Sequence, residues 1–153
     1  MDILLFDNDA SFGIELKDKI NNILLKKGFD NDIVKIYRNA DLLLREINET
    51  KKVRMFFIGV NFKYNLNDKI CDGLWVAKKI RESDYISPIV FTSEYVEICV
   101  SLFKYRLEAM DFIPKQNMDT IEERIRDCIK SAHHRYRKEI NQEEKFFTIY
   151  KDF

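Results

Sequence analysis

Short apolar runs alternate with longer amphipathic stretches along most of the chain. The most apolar run extends from Val53 to Val60; it contains Val, Ile and two Phe and is followed by a polar segment at 61–72. A run of this length and composition predicts a β-strand that is buried on both faces. Strands of this kind lie in the middle of parallel sheets, so we expect this one to be the central strand.

Four more strands and five helices are predicted around the central strand. The strands are expected at Asp2 to Phe6, Asp32 to Tyr37, Pro88 to Phe91 and Met110 to Ile113. The helices are expected from a cap at Ser11 to Gly28, after a cap at Asn39, from about Gly73, from Tyr95 to Tyr105, and from Met118 to about Glu144. Strands that alternate with helices predict an α/β fold of the doubly wound (βα)5 type, because parallel neighbours need crossover helices.

Two stretches are more apolar than a solvated surface requires. The fourth helix carries Val, Ile, Leu, Cys and Phe on more than one side, which is typical of a helix that meets a partner. The tail from Phe146 to Phe153 is too apolar for a disordered end. We expect this tail to be the first strand of a further domain that the chain does not contain.

Composition narrows the function classes. Lys plus Arg and Asp plus Glu both number 26, so no net charge directs the chain to nucleic acid or to an acidic surface. No apolar run approaches the ~20 residues that span a bilayer, and the strand begins directly after Met1 without a basic leader. We therefore expect a cytoplasmic protein with no membrane partner.

The cysteines and histidines do not form a metal or disulfide pattern. Cys71, Cys99 and Cys128 are far apart and odd in number, which favours reduced, partly buried thiols. His133 and His134 are adjacent on a polar part of the last helix, so we expect both to be exposed to solvent. The basic residues around them indicate a solvated face or a linker helix.

Polar residues with possible chemistry stand at the carboxyl ends of the predicted strands, where open parallel sheets place their sites. They are the acidic turn Asp7, Asn8 and Asp9 after the first strand, Gly59 at the end of the central strand, Thr92 and Ser93 after the fourth, and Lys115 after the fifth. Gly59 has no side chain with which to do chemistry. Asn8 and Asp9 are expected to form the polar turn and cap of a strand-to-helix junction. For Asp7 a turn role and a pocket role remain open, and Thr92 as an ordinary helix cap is an alternative.

In this order, the strand-end residues resemble the receiver domain of two-component response regulators over residues 1 to about 137. Further stretches bring the chain closest to the LytTR-type, quorum-sensing transcription regulators. They are Phe56 to Ile58, Phe91 to Ser93, Ala109 to Ile113 with Lys115, and the run Ile-Arg-Asp-Cys-Ile in the last helix. The resemblance implies a five-stranded parallel sheet with strand order 2-1-3-4-5.

In an active receiver, the resemblance implies an aspartate that takes up a phosphoryl group. Carboxylates at the first strand end and the acceptor hold Mg²⁺, and the acceptor attacks phosphorus while Mg²⁺ and a lysine offset the charge. A Thr or Ser hydroxyl then binds the phosphoryl oxygen and moves a loop, and an aromatic side chain moves with it.

Transferred to this chain, the resemblance is incomplete. Asp7 matches the first acid, but Asn8 stands where the second metal-binding acid belongs, and Gly59 stands at the acceptor position. The other positions match: Thr92 or Ser93 as the switch hydroxyl, Phe112 as the switch aromatic, and Lys115 as the lysine, which we expect to pair with Asp7. We therefore expect a receiver that is not phosphorylated, is not an enzyme and needs no cofactor, with at most weak Mg²⁺ binding at Asp7.

Three alternatives remain open. In the first, a sensor histidine kinase phosphorylates Asp68 or Asp72 in the loop after Gly59, although we expect both to be solvated loop and helix-cap residues. In the second, the residue at position 59 is altered from the native one. In the third, the chain is a flavodoxin-like domain that binds a small molecule; such a site needs a glycine-rich turn after the first strand, and this chain has only Asp7 to Asp9 there.

The resemblance also implies a domain division and partners. We expect a receiver domain at 1–137, and at 138–153 the end of a linker helix and the start of a LytTR-type DNA-binding output domain. The receiver is expected to act by protein contacts, as a homodimer or with another protein through its fourth and fifth helices. DNA would be bound only by the output domain, which is absent from this chain.

Overall fold

The computed structural model describes residues 1–61 and 73–151, with side chains to residue 149. The predicted loop residues Asp68 and Asp72, and also Cys71, lie outside the described residues. The strands are β1 Asp2–Phe6, β2 Ile33–Tyr37, β3 Arg54–Gly59, β4 Ile89–Ser93 and β5 Asp111–Pro114. The helices are α1 Ala10–Lys27, α2 Ala40–Glu49, α3 Gly73–Arg81, α4 Ile98–Lys104 and α5 Met118–Lys151.

The five described strands form one parallel sheet with the order β2-β1-β3-β4-β5. This confirms the predicted doubly wound α/β fold and its strand order. β3 lies in the middle of this order and all six of its residues are buried, which confirms the predicted central strand. Its last residue, Gly59, pairs with Thr92 of β4, which brings the ends of these strands together at one edge.

The sheet separates two apolar cores. Alternate strand residues such as Leu5 and Phe57 face α1 and α5, whereas Leu4 and Phe56 face α2, α3 and α4. Each fully buried Leu or Phe contributes about 1.5–3 kcal/mol. Both faces of the sheet are therefore covered, as a parallel sheet requires.

Helix ends follow the predicted capping chemistry with one correction. Asp9, and not Ser11, caps α1: its side chain accepts a hydrogen bond from the Phe12 amide at 3.0 Å. Gly28 ends that helix in the left-handed conformation, with φ of 73°, as expected of a glycine there. Asn39 caps α2 as predicted, accepting from the amides of Asp41 and Leu42.

A buried arginine lies at the start of β3. Arg54 is 1% exposed, and its guanidinium donates to the backbone carbonyls of Glu46, Thr50 and Lys52. Because these carbonyls lie at and beyond the carboxyl end of α2, the guanidinium offsets the negative end of that helix. Arg54 therefore joins α2 to the sheet although it stands in an otherwise apolar run.

The last helix is longer than predicted. α5 continues through 146–151, so the strand expected from Phe146 onward is wrong for these residues. A charged helix of this length keeps extending because no glycine or proline interrupts it. The assignment of 138–153 to a linker and the start of an output domain stays a prediction.

Two further expectations concern exposure. His134 is exposed as predicted, but His133 is buried, which corrects that prediction. Cys128 is buried and Cys99 is half-buried, and both thiols are free, as expected. Among residues 1–61 and 73–151, no helix is both long and apolar enough to cross a membrane.

Candidate functional site

Three strand ends and the turn after β5 meet at the carboxyl edge of the sheet. Asp7 follows β1, Gly59 ends β3, Thr92 lies near the end of β4, and Lys115 follows β5. Parallel strands bring these positions to one edge, as the sequence predicted. We call this group the strand-end pocket: Asp7, Gly59, Thr92 and Lys115.

An ion pair fills the centre of the strand-end pocket. Lys115 Nζ lies 2.9 Å from Asp7 Oδ1 and 2.8 Å from Asp7 Oδ2, and the two side chains are 5% and 4% exposed. The expectation that Lys115 pairs with Asp7 is thereby confirmed. Because both charges are buried, each depends on the other to offset the cost of leaving water.

Further contacts use the same carboxylate. The Asp9 amide donates to Asp7 Oδ1 at 2.8 Å, and the Thr92 hydroxyl lies 3.5 Å from Asp7 Oδ2. Lys115 Nζ also lies 4.5 Å from the centre of the Phe12 ring, a distance that permits a cation–π contact. Both oxygens of Asp7 are therefore engaged, which leaves this carboxylate poorly placed to act as a nucleophile.

The position of Gly59 explains why the pair can form. A Cβ atom on Gly59 would lie 2.5 Å from Asp7 Cγ and 2.8 Å from Asp7 Oδ1, closer than real Cβ atoms approach. The carboxyl group of Asp7 thus occupies the space in which a side chain at position 59 would begin. Any larger residue at 59 requires Asp7 to move.

A second glycine closes the pocket from the side of α3. A Cβ atom on Gly73 would overlap the Gly59 carbonyl oxygen and lie 2.8 Å from Ile58 Cγ2. The first residue of α3 therefore lies directly against the backbone at the end of β3. The sequence indicated Gly73 only as a helix start, since nothing in the local pattern reports a contact with position 59.

The predicted switch residues take different positions. Thr92 is 1% exposed and faces Asp7, so it is not the cap of α4, which begins at Ile98. Ser93 is also buried, but its hydroxyl accepts a hydrogen bond from the Tyr95 amide at 3.1 Å instead of facing the pocket. Phe112 is half-buried and packs against the core on the α2, α3 and α4 side.

Only one residue of the predicted acidic turn enters the pocket. Asn8 is exposed, and Asp9 is occupied as the cap of α1, which is the turn-and-cap role expected for both. Of the three residues Asp7, Asn8 and Asp9, the structure brings Asp7 alone to Lys115. Phe12, which the sequence indicated only as a core residue, adds an aromatic wall.

The described side chains of the strand-end pocket offer Mg²⁺ few of the ligands that it prefers. The ion takes oxygen ligands in near-octahedral geometry, whereas Asp7 is bound by a lysine, Asn8 faces solvent and Gly59 offers no side chain. Within the described ranges, no group of three His, Cys, Asp or Glu side chains is arranged to hold a metal.

Comparison with known proteins identifies the relatives of this chain. Accessory gene regulator protein A of Staphylococcus epidermidis is 29% identical over 107 residues, which are 70% of this chain and 42% of that protein. The same regulator from Staphylococcus aureus is 24% identical over 135 residues, or 88% of this chain and 55% of that protein. The chain spans about half the length of these relatives. No family model matches the chain.

Solved structures share the fold. The response regulatory domain of mrkE from Klebsiella pneumoniae has a TM-score of 0.67 and 22% identity, covering 90% of this chain and 99% of that one. The response regulator TrrA from Thermotoga maritima, solved with Mg²⁺ and BeF, has a TM-score of 0.60 and 17% identity, covering 83% and 97%. The chain therefore has the fold of these response regulator receiver domains and is similar in sequence to accessory gene regulator protein A.

Proposed function

We propose that this receiver signals without accepting a phosphoryl group and acts through contacts with protein partners. One observation carries the proposal: the Asp7 carboxyl group fills the space beside Gly59 and holds Lys115 in a buried pair. Aspartyl phosphate chemistry needs a carboxylate nucleophile with free oxygens, a divalent cation and a positive side chain for the developing charge. Here the positive side chain is already paired with Asp7, and the resemblance to receiver domains puts a glycine at the acceptor position.

The same arrangement gives the Thr92 hydroxyl a carboxylate oxygen as its partner in place of a phosphoryl oxygen. In the proposed role, Asp7 Oδ2 takes the place beside the Thr92 hydroxyl that a phosphoryl oxygen takes in a phosphorylated receiver. The pocket then holds one conformation without a signal at this site. Neither a cofactor nor Mg²⁺ is needed, and the domain has no enzymatic role.

The proposed contact surface is formed by α4, β5 and α5. α4 and the turn before it carry three apolar side chains, and Val96, Val100 and Phe103 are 57%, 76% and 80% exposed. Beside them lies a groove of about 480 Å³ whose lining includes Phe103, Met110 and Arg124. Large exposed apolar groups next to a groove are typical of a protein interface. We propose that a second copy of the chain or another protein binds there.

Arg81 supports the loop that forms one wall of this groove. Its guanidinium is buried and donates to the carbonyls of Leu107 at 2.7 Å and Ser87 at 2.9 Å. The loop contains Arg106 and Glu108 in the left-handed region, with φ of 51° and 50°, which costs conformational energy for residues with a side chain. Burial of the charged guanidinium is unfavourable and lowers the pKa of Arg81. The hydrogen bonds to the loop offset this cost of burial.

The likeness to accessory gene regulator A supports a wider assignment. We propose a cytoplasmic regulator of transcription in which residues 1–137 form the receiver and 138–153 lead into a LytTR-type output domain. DNA binding would belong to that domain and not to the residues described here.

Mass spectrometry of the intact protein after incubation with acetyl phosphate and Mg²⁺ tests the central claim. We expect no phosphoryl gain on the native chain or on Gly59→Ala, which adds a side chain without a carboxylate. Gly59→Asp, which must displace Asp7, is expected to gain one phosphoryl group. A gain on the native chain contradicts the proposal, and peptide mapping then shows whether Asp68 or Asp72 is the acceptor.

The contact surface is tested separately by light scattering after gel filtration. For a homodimer, Val100→Glu and Phe103→Glu are expected to give monomers, because a carboxylate buried in an interface is costly. Leu25→Glu is the matched control, since Leu25 is 66% exposed on α1, away from α4. If all variants keep the mass of the native protein and that mass is a dimer, α4 is not the dimer surface.

A further inference from the structure

A second buried carboxylate lies at the amino edge of the sheet, opposite the strand-end pocket. Asp32 precedes β2, and its side chain is 5% exposed. One of its oxygens lies 2.5 Å from His133 Nε2, and the other accepts a hydrogen bond from the Met1 amine at 2.8 Å. The carboxylate therefore joins the start of β1, the segment before β2 and α5.

The imidazole of His133 is also held on its face. It stacks on the ring of Phe29, with ring centres 3.7 Å apart and an angle of 8° between the planes. The guanidinium of Arg137, one helical turn later, lies 5.8 Å from the centre of the same Phe29 ring. His133 is 6% exposed, so the ring is enclosed on its face by an aromatic and at its edge by a carboxylate.

His133 occupies a special place along α5. It is the last buried residue of the helix among the side chains that are described, and all those at 141–149 are exposed. Three of the seven side chains at 134–140 are half-buried, and Glu143 lines a groove together with residues of the domain. A helix that packs this sparsely is marginal in water. The order and direction of 134–149 therefore depend on the last contacts that α5 makes with the domain.

We propose that Asp32 and His133 form a latch that fixes the direction in which α5 leaves the domain. Stacking on Phe29 fixes the plane of the imidazole, and the contact with Asp32 fixes the direction of its Nε2 atom. Together, these two contacts prevent α5 from rotating or lifting at this point. His133 is a positioning residue for the helical segment 134–149. The latch lies at the edge of the sheet away from Gly59, so it does not depend on whether the strand-end pocket accepts phosphate.

Hydrogen exchange of the full chain, followed by mass spectrometry, tests the latch with two variants and a matched control. His133→Phe keeps a ring to stack on Phe29 but removes the nitrogen that contacts Asp32. Asp32→Asn keeps the shape of that side chain and removes its charge. His134→Phe makes the same substitution as His133→Phe on the adjacent, exposed residue.

We expect exchange at 134–149 to be about tenfold faster in each latch variant, as for the loss of a charge-assisted hydrogen bond. The double variant is expected to add little, because both changes remove one interaction. Amides of β3 report global unfolding and are expected to accelerate less. The latch is refuted if His133→Phe leaves exchange at 134–149 unchanged, if His134→Phe matches it, or if β3 accelerates equally.

Residual dipolar couplings of the amides at 134–149 give a second measurement, which does not depend on the global stability of the domain. In the native chain, these couplings are expected to fit the same alignment tensor as the couplings of the domain. In His133→Phe they are expected to shrink toward zero as the segment samples many directions. Couplings that are equal in both proteins contradict the latch.

Discussion

Two buried aspartates, Asp7 and Asp32, lie at opposite edges of the same sheet and are paired in different ways. Asp7 binds one lysine with both of its oxygens, whereas Asp32 divides its oxygens between His133 and the Met1 amine. Each carboxylate meets the requirement that a buried charge be paired. The partners determine the consequence: the first pair fills a pocket, and the second fixes a helix.

The surroundings of the two pairs differ as well. At the carboxyl edge, the two glycines Gly59 and Gly73 let the backbones of β3 and α3 approach closely, so the space around Asp7 is set by main chain. At the amino edge, Asp32 contacts the Met1 amine and the His133 ring, which is stacked on Phe29. The first site therefore tolerates little change in volume, while the second depends on hydrogen bonds and ring stacking.

The largest expected effect comes from removing the partner of Asp7. Lys115→Met leaves a buried carboxylate without its cation, so the free energy of unfolding is expected to fall by about 3–5 kcal/mol. His133→Phe is expected to cost less, at most about 1 kcal/mol of global stability, because the Met1 amine still binds Asp32. Urea denaturation measures both. The double variant Asp7→Asn/Lys115→Met should recover much of the loss, and equal losses in the two single variants would contradict the comparison.

The close approach of backbones at the carboxyl edge is tested next. Gly73→Ala places a Cβ against the Gly59 carbonyl and 2.8 Å from Ile58 Cγ2, so the free energy of unfolding is expected to fall by about 1–3 kcal/mol. Gly13→Ala in α1 is the matched control, since its nearest neighbour would be Ile36 Cγ2 at 3.9 Å. The control is expected to gain up to about 1 kcal/mol from helix propensity. A Gly73→Ala variant as stable as the native chain argues against this contact.

A smaller effect concerns the thiols. Burial, with Asp111 nearby, raises the pKa of Cys128 from 9.0 to about 12. Iodoacetamide at about pH 8 is therefore expected to modify the half-buried Cys99 and to spare Cys128 in the folded chain, as read by peptide mass spectrometry.

The same raised pKa has a consequence for stability. Because the folded pKa of Cys128 exceeds the unfolded value, its contribution is complete below about pH 9 and is lost as the pH rises toward 12. Cys128→Val should flatten this alkaline decline in urea denaturation. An identical decline in both proteins would show that another group causes it.

The smallest effect is expected at a partly exposed set of ion pairs, which contrasts with the buried pair of Lys115. Lys19 joins α1 to α5 through Glu122 at 2.9 Å and Asp119 at 3.2 Å. Hydrogen bonding to Glu122 raises the pKa of Lys19, and hydrogen bonding to Lys19 lowers the pKa of Glu122. The contribution is therefore present between the unfolded pKa values of the two groups, 4.5 and 10.5.

Lys19→Gln is expected to change the urea midpoint only slightly at neutral pH, and not at all in high salt, because exposed pairs are screened. A loss as large as that of Lys115→Met would show that the difference in burial between Lys19 and Lys115 does not determine their contributions to stability.

Much of the fold could be predicted from the sequence because the relevant signals are local. Apolar runs of strand length fixed five strands, and Gly28 and Asn39 marked helix ends by their backbone chemistry. The inferences about the fold need only periodicity, capping and the topology of a parallel sheet. The pairing of Asp7 with Lys115 was expected from the resemblance to receiver domains.

Other features could not be predicted, because their causes are distant in sequence. His133 stands in a polar run, and its burial results from Asp32, which is 101 residues away. Gly73 looked like a helix start, whereas its contact with Gly59 depends on how α3 lies against the sheet. The tail near Phe147 has a strand-like composition, but the uninterrupted helix before it continues into that segment.

The length of α5 turns the latch into the fulcrum of a lever. At 1.5 Å per residue, Ile149 lies about 24 Å along the helix from His133. A tilt of about 10° at the fulcrum therefore moves the far end by about 4 Å, roughly the width of a side chain. A small shift of α5 beside Asp32 therefore becomes a displacement several times larger at the far end of the helix.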